Sequence, residues 1–313
     1  MTSESNVKKP KSWRSNVPKV TTNTQKHTNP PATRVRAAWA FVAFVVTIAA
    51  GLLGPYALIP LYLYLAIFGV LEYASMLRLR GVGVHRDGLL AMVILLVPAS
   101  LPDDDPLGLT TAWFAYPDRS QLTLAFVIMM MVISLGRRIR DPFPTIVYSL
   151  LGYLWIPTFL SFMLTLRSSP DPSAGLVNVL LPALAVIASD VGAFLAGKFF
   201  GRTPFMRHLS PSKTIEGAAG GLLLAAIALP VSHAVFTAFS LPSPEPAVLL
   251  AFGLIVAAFS QAGDLFESLI KRWAGVKDTG LFLPGQGGVL DRIDSHLIGL
   301  PVGFFLLSLM GRL

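Results

Sequence analysis

The chain has 313 residues, 53% hydrophobic and only 13% charged, with a mean hydropathy of +0.63. That composition excludes an ordinary water-soluble domain and directs attention to membrane spans. The formal net charge of +8 sits in short loops between apolar runs, which argues against a nucleic-acid groove, and the lack of cysteine rules out disulfides, thiol catalysis and Cys-bound zinc.

Residues 1–36 carry eight Lys and Arg among Pro, Ser, Thr and Asn, with almost nothing apolar to bury. They read as a disordered basic cytosolic tail suited to anionic headgroups. The first apolar run begins near Ala37, too far from Met1 for a cleaved signal peptide. Nine apolar runs then follow, at 37–54, 55–77, 88–102, 121–136, 144–166, 174–199, 215–239, 246–270 and 293–312. Each is near the ~20 residues that cross a bilayer, although 88–102 is short and Pro55 and Pro60 blur the first boundary.

Cation placement supports this count. With the tail inside, the loops on its side hold 14 further Lys and Arg, and the opposite side holds only Arg119, Arg167 and Arg312. The expected fold is therefore an all-α integral membrane protein of about nine transmembrane helices, N-terminus cytosolic and C-terminus opposite. Residues 37–173 supply about five spans, and 174–313 about four, with two polar loops on the cytosolic side.

The first polar constellation runs from Ser189 to Gly217. Asp190 lies eleven residues before Gly201, about 16 Å inside the membrane at the helical rise. Such a carboxylate is either paired with a neighbouring helix or is a metal or substrate ligand. Gly192, Gly197 and Gly201 permit close helix packing or close approach of a ligand. Ser210, Lys213 and Thr214 precede the next helix, with Glu216 early in it. That pattern reads as a capped N-terminus, and its free N–H groups and lysine also suit a phosphate.

The second constellation, 264–294, places five acidic and four basic side chains in an oily chain. On a continuing helix Asp264, Ser268 and Lys271 share one face, and Glu267 with Lys271 is spaced as an ordinary ion pair. Pro284–Gly288 is no stable helix, and its successive N–H groups can form an anion nest. Asp291 and Asp294 project to one side at the start of the last span, as ligands or as acids favoured by the helix dipole. Oxygen ligands without His or Cys point to magnesium, with a second cation left open. His208 and His296 lie near these loops and are read as structural.

The second half resembles the phosphatidate cytidylyltransferase (CDP-diacylglycerol synthase) family. Ser268, Lys271, Arg272, Lys277, Asp278, Pro284, Gly287, Gly288, Asp291, Arg292 and Asp294 stand at the spacing of its terminal signature. Gly263-Asp264 matches upstream, and Ser210-Pro211, Lys213-Thr214 and Glu216-Gly217 resemble its Ser-Pro-x-Lys loop. The chain departs from that pattern at Gln286, where the family has His, and at Ser212 and Ile215. Gln hydrogen-bonds but carries no proton between groups.

The resemblance implies cytidylyl transfer from CTP to phosphatidic acid, releasing pyrophosphate. It implies Asp264, Asp291, Lys271, Arg272 and Asp294 as catalytic, and Asp264, Asp291, Asp190 and Asp294 as metal ligands. Ser210, Lys213, Thr214, Ser268, Lys277, Asp278, Gly287, Gly288 and Arg292 would bind substrate. It further implies a multi-pass enzyme of the cell membrane whose site faces the cytosol, a homodimer contacting membrane lipids, and no nucleic acid. Three rival readings remain. They are a CTP-dependent transferase for an isoprenoid alcohol or archaeal ether lipid, a cation-coupled transporter using Asp190 and Asp264, and an inactive homologue motivated by Gln286.

Overall fold

The computed structural model describes residue 42 and residues 45–101, 117–136, 141–280 and 287–313. The basic tail, the acidic run at 103–105 and Pro284–Gln286 lie outside these residues. All described residues belong to one unit, Pro31–Leu313.

Residues 45–53 are helical and end at Gly54, whose φ of 116° no other residue type adopts readily. The chain continues through α1 (Pro55–Leu79), α2 (Arg86–Leu95), α3 (Arg119–Gly136), α4 (Pro142–Arg167) and α5 (Pro172–Phe200). A two-stranded antiparallel hairpin follows, β1 (Pro204–Met206) with β2 (Ser210–Thr214). Then come α6 (Ile215–Ala238), α7 (Pro246–Ala274) and α8 (Leu290–Leu309). Proline opens α1, α4, α5 and α7, where its fixed φ helps and its missing N–H removes no helical bond. Thr214 caps α6, its hydroxyl accepting the Gly217 N–H at 3.1 Å. Within α4, Pro157 sits in a π-turn at Leu154–Thr158, since it lacks the N–H an α-turn uses.

Among the described residues seven helices are long and apolar enough to cross a membrane: α1 and α3 to α8. The short run at 88–102 forms the ten-residue α2 and a 3-10 turn at Pro98–Ser100. Its two ends still reach different levels of α4: the His85 N–H bonds Ser149, and Ser100 receives Arg119, which also bonds the Ser161 carbonyl. The cap at Thr214 forms as expected, and the hairpin before it is an addition the sequence did not signal. Glu216 explains it: its carboxylate accepts the Arg202 and Thr203 N–H groups at 3.1 Å, drawing the chain before β1 onto the start of α6. These bonds hold the Glu216 carboxylate where β2 can pair back.

Helices α5 and α6 approach closely because glycine faces alanine and glycine. A Cβ on Gly220 would collide with Ala196, and one on Gly217 would stand 3.0 Å from the Ala193 carbonyl. Gly192 meets Gly220 and Gly221, so its role is packing. Helices α7 and α8 meet at Gly263, where a Cβ would lie 2.9 Å from both the Asp294 carbonyl and Ile298. That contact brings the polar stretch of α7 against the first turns of α8. The ends of the helices are also sorted. Arg312 bonds the Pro242 carbonyl at one end, and Arg272 bonds the Leu209 carbonyl of the hairpin at the other.

Candidate active site

The helix α7 runs unbroken past Asp264 to Ala274 and stops at Gly275, whose φ of 79° lets Val276 N–H reach back to the Lys271 carbonyl. Asp264, Glu267 and Lys271 therefore share one face, three and four residues apart. Opposite them, the first turns of α8 present Asp291, Asp294 and Ser295. From α5 comes Asp190, and from β2 comes Lys213. Asp190, Lys213, Asp264, Lys271, Asp291 and Asp294 line one cavity of about 410 Å³.

One ligand oxygen each of Asp264, Glu267 and Asp294 lies within 4.8 Å of the others. Glu267 is fully buried, and among the described residues neither carboxylate oxygen has a hydrogen-bond partner. Its Oε2 is 2.5 Å from Lys271 Nζ, an ion-pair contact outside hydrogen-bond geometry. Lys271 also holds Asp291 Oδ1 at 2.8 Å, and Lys213 Nζ stands 2.5 Å from Asp264 Oδ2. Around the cavity, carboxylates at 190, 264, 267, 291 and 294 outnumber the two lysines. Buried charge of one sign needs a partner, and oxygen-only donors with orphaned lone pairs fit a hard divalent cation.

The anticipated residues divide in three. Asp190, Lys213, Thr214, Asp264, Lys271, Asp291, Asp294 and Gly217 line the cavity. Asp190 Oδ1 lies 3.5 Å from the Ser295 hydroxyl. Asp291 Oδ2 accepts N–H groups from Thr279 and Gly288 at 3.0 and 2.9 Å, so one carboxylate joins the lysine to the loop base. Beside the cavity, Ser268 is buried in α7, and Gly287, with φ of 89°, adjoins the Asp291 carboxylate with Gly288. Away from the lining, Lys277, Asp278 and Arg292 are exposed, and Ser210 stands half-buried on β2. Arg272 bonds the Leu209 and Val276 carbonyls and so ties the hairpin to the end of α7. Gln286 lies outside the described residues.

Two residues went unnoticed in the sequence, Glu72 on α1 and Thr279 after α7. Glu72 is buried and accepts hydrogen bonds from Thr279, Val289 and Leu290. Glu267 was assigned only to its ion pair with Lys271; that pair forms, and the carboxylate also belongs to the acidic trio. The signal for Glu72 was available: a lone acid deep in an apolar run is as costly there as at Asp190.

A family model described as the cytidylyltransferase family matches residues 33–310. The chain belongs to the cytidylyltransferase family. Among similar proteins, the phosphatidate cytidylyltransferase of Bacillus subtilis is 31% identical over 79% of this chain and 93% of its own length. Phosphatidate cytidylyltransferase 5, chloroplastic, of Arabidopsis thaliana is 32% identical over 72% of this chain. The chain spans 59% of that plant protein's length. The phosphatidate cytidylyltransferase of Helicobacter pylori is 45% identical over 125 residues, 40% of this chain and 45% of its own length. This cytidylyltransferase is a multi-pass membrane protein.

Proposed function

We infer that this chain transfers the cytidylyl group of CTP to phosphatidic acid, giving CDP-diacylglycerol and pyrophosphate. The supporting observation is that Asp264, Asp294, Lys213 and Lys271 line one cavity, with the buried Glu267 carboxylate close to both aspartates, in a chain whose relatives bear that enzyme's name. A phosphate oxygen of the lipid attacks the α-phosphorus of CTP in line. The bond from that phosphorus to the bridging oxygen breaks, and pyrophosphate leaves with the electron pair. The nucleophile is already deprotonated, so positioning and charge neutralisation carry the catalysis.

Asp264, Glu267 and Asp294 would hold magnesium, with Asp190 lining the same cavity; bound metal would neutralise charge on the triphosphate. Lys213 and Lys271 are the cavity's cations for phosphate oxygens, each an ammonium point charge. Asp291 aims Lys271 and fixes the loop base, whose Gly288 N–H stands beside the cavity.

The site opens to the cytosol of a cell-membrane enzyme, a reading supported by the 22 of 25 Lys and Arg assigned to that side. Residues 37–173 frame the catalytic region 174–313. The test is purified protein in detergent with magnesium, labelled CTP and phosphatidate. Pyrophosphate and CDP-diacylglycerol should form together. Absence of turnover, or turnover only with a polyprenol, would overturn the assignment.

A further inference from the structure

The segment after α7 leaves at Gly275 and returns at the start of α8. Its two ends, Thr279 and Gly288–Leu290, are gathered on a side chain from the far N-terminal half. Glu72 is 1% exposed. Its Oε1 accepts the Val289 N–H at 2.9 Å, and its Oε2 accepts the Leu290 N–H and the Thr279 hydroxyl, both at 2.9 Å. These contacts span 207 to 218 residues of sequence.

The surroundings are cut to fit that carboxylate. A Cβ on Gly280 or Gly288 would run into Glu72 oxygens, and one on Gly288 would also strike the Thr279 hydroxyl. Thr279 is clasped twice: its hydroxyl by Glu72 and its N–H by Asp291. Gly288 N–H bonds Asp291 as well. Two carboxylates therefore hold Thr279 and the start of α8, and one of them is also the partner of Lys271. Leu290 begins α8, four residues before Asp294.

We propose that Glu72 is a positioning residue that ties Thr279 to the start of α8 and sets the register of that helix, so that Asp291 and Asp294 meet Lys271 and the acidic face of α7. The kinetic part rests on the cytidylyl-transfer reading; the clamp itself does not. Glutamine is the informative replacement. It has one acceptor oxygen and a donor NH₂, which must face an N–H or O–H that the carboxylate now accepts. Thr279→Val removes one of the three bonds at nearly the same volume, and Thr279→Ser restores the hydroxyl.

The test is hydrogen–deuterium exchange of the intact detergent-purified protein alongside steady-state kinetics with magnesium, CTP and phosphatidate. For Glu72→Gln and Thr279→Val, amides of 288–290 should exchange at least about tenfold faster, while α5 and α6 keep wild-type protection. The kcat should fall about 10- to 100-fold with KM for phosphatidate within about twofold, the range set by loss of groups that orient site residues. Thr279→Ser should recover both. Unchanged exchange at 288–290 in both variants overturns the clamp. Faster exchange with undiminished kcat overturns the positioning role. If the wild type itself shows no cytidylyl transfer, the functional reading fails, while exchange still decides the clamp. Should Glu72→Gln fail to fold, Thr279→Val carries the same comparison.

Discussion

At the residue scale, Lys271 is the pivot, because one ammonium serves Glu267 on its own helix and Asp291 on the next. Lys271→Met should lower the stability of the detergent-solubilised protein by about 3–5 kcal/mol, the range for leaving buried carboxylates unpaired. Denaturant titration measures it, and a loss below ~1 kcal/mol would mean the pair is replaceable by water. Glu267→Gln separates the two roles of that side chain. If Glu267 serves only Lys271, kcat should survive; as a third member of the trio it should lose about 100-fold or more, as Asp264→Asn and Asp294→Asn should. The trio was partly legible in the sequence. Asp264, Glu267 and Lys271 are set by helical spacing, which any reading of α7 as continuous delivers. The membership of Glu267 was not legible, because an i,i+4 partner on the same helix already accounted for it and the approach of Asp294 depends on how α8 packs.

At the element scale, glycine decides which helices can touch. Gly220 has no room for a methyl group against Ala196, whereas among the described residues nothing lies within 4 Å of a Cβ on Gly136. Gly220→Ala should therefore cost about 1–3 kcal/mol by overpacking α5 against α6, and Gly136→Ala should be neutral or slightly stabilising. Thermal melts of the two variants side by side check this. The glycines were visible in the sequence, but packing and ligand approach remained equal readings until the facing residues were known. The hairpin was hidden for a different reason. Ser210–Thr214 does end in a capping threonine, so the local signal was satisfied, and the strand depends on Glu216 capturing the chain at Arg202 and Thr203. A short two-stranded ribbon has little pattern of its own.

At the scale of the whole molecule, the apolar runs carried the all-α membrane architecture, since a bilayer demands length and polarity more strictly than water does. Tertiary connections such as Glu72 to the loop base were out of reach, because no local periodicity links positions more than 200 residues apart. The native chain has no cysteine, so single cysteines report sidedness cleanly. In inverted and right-side-out vesicles, Ser212→Cys on β2 should label from the cytosolic face and Glu245→Cys before α7 from the other. Both labelling from one side would break the span assignment. The central claim is that Asp264, Glu267 and Asp294 hold a divalent cation between α7 and α8. Titration of the purified protein with Mn²⁺, read by electron paramagnetic resonance, tests it most directly. Wild type should bind at least one ion that magnesium displaces, and Glu267→Gln and Asp294→Asn should each abolish or weaken that site by about tenfold or more. Equal binding in wild type and both variants would contradict it.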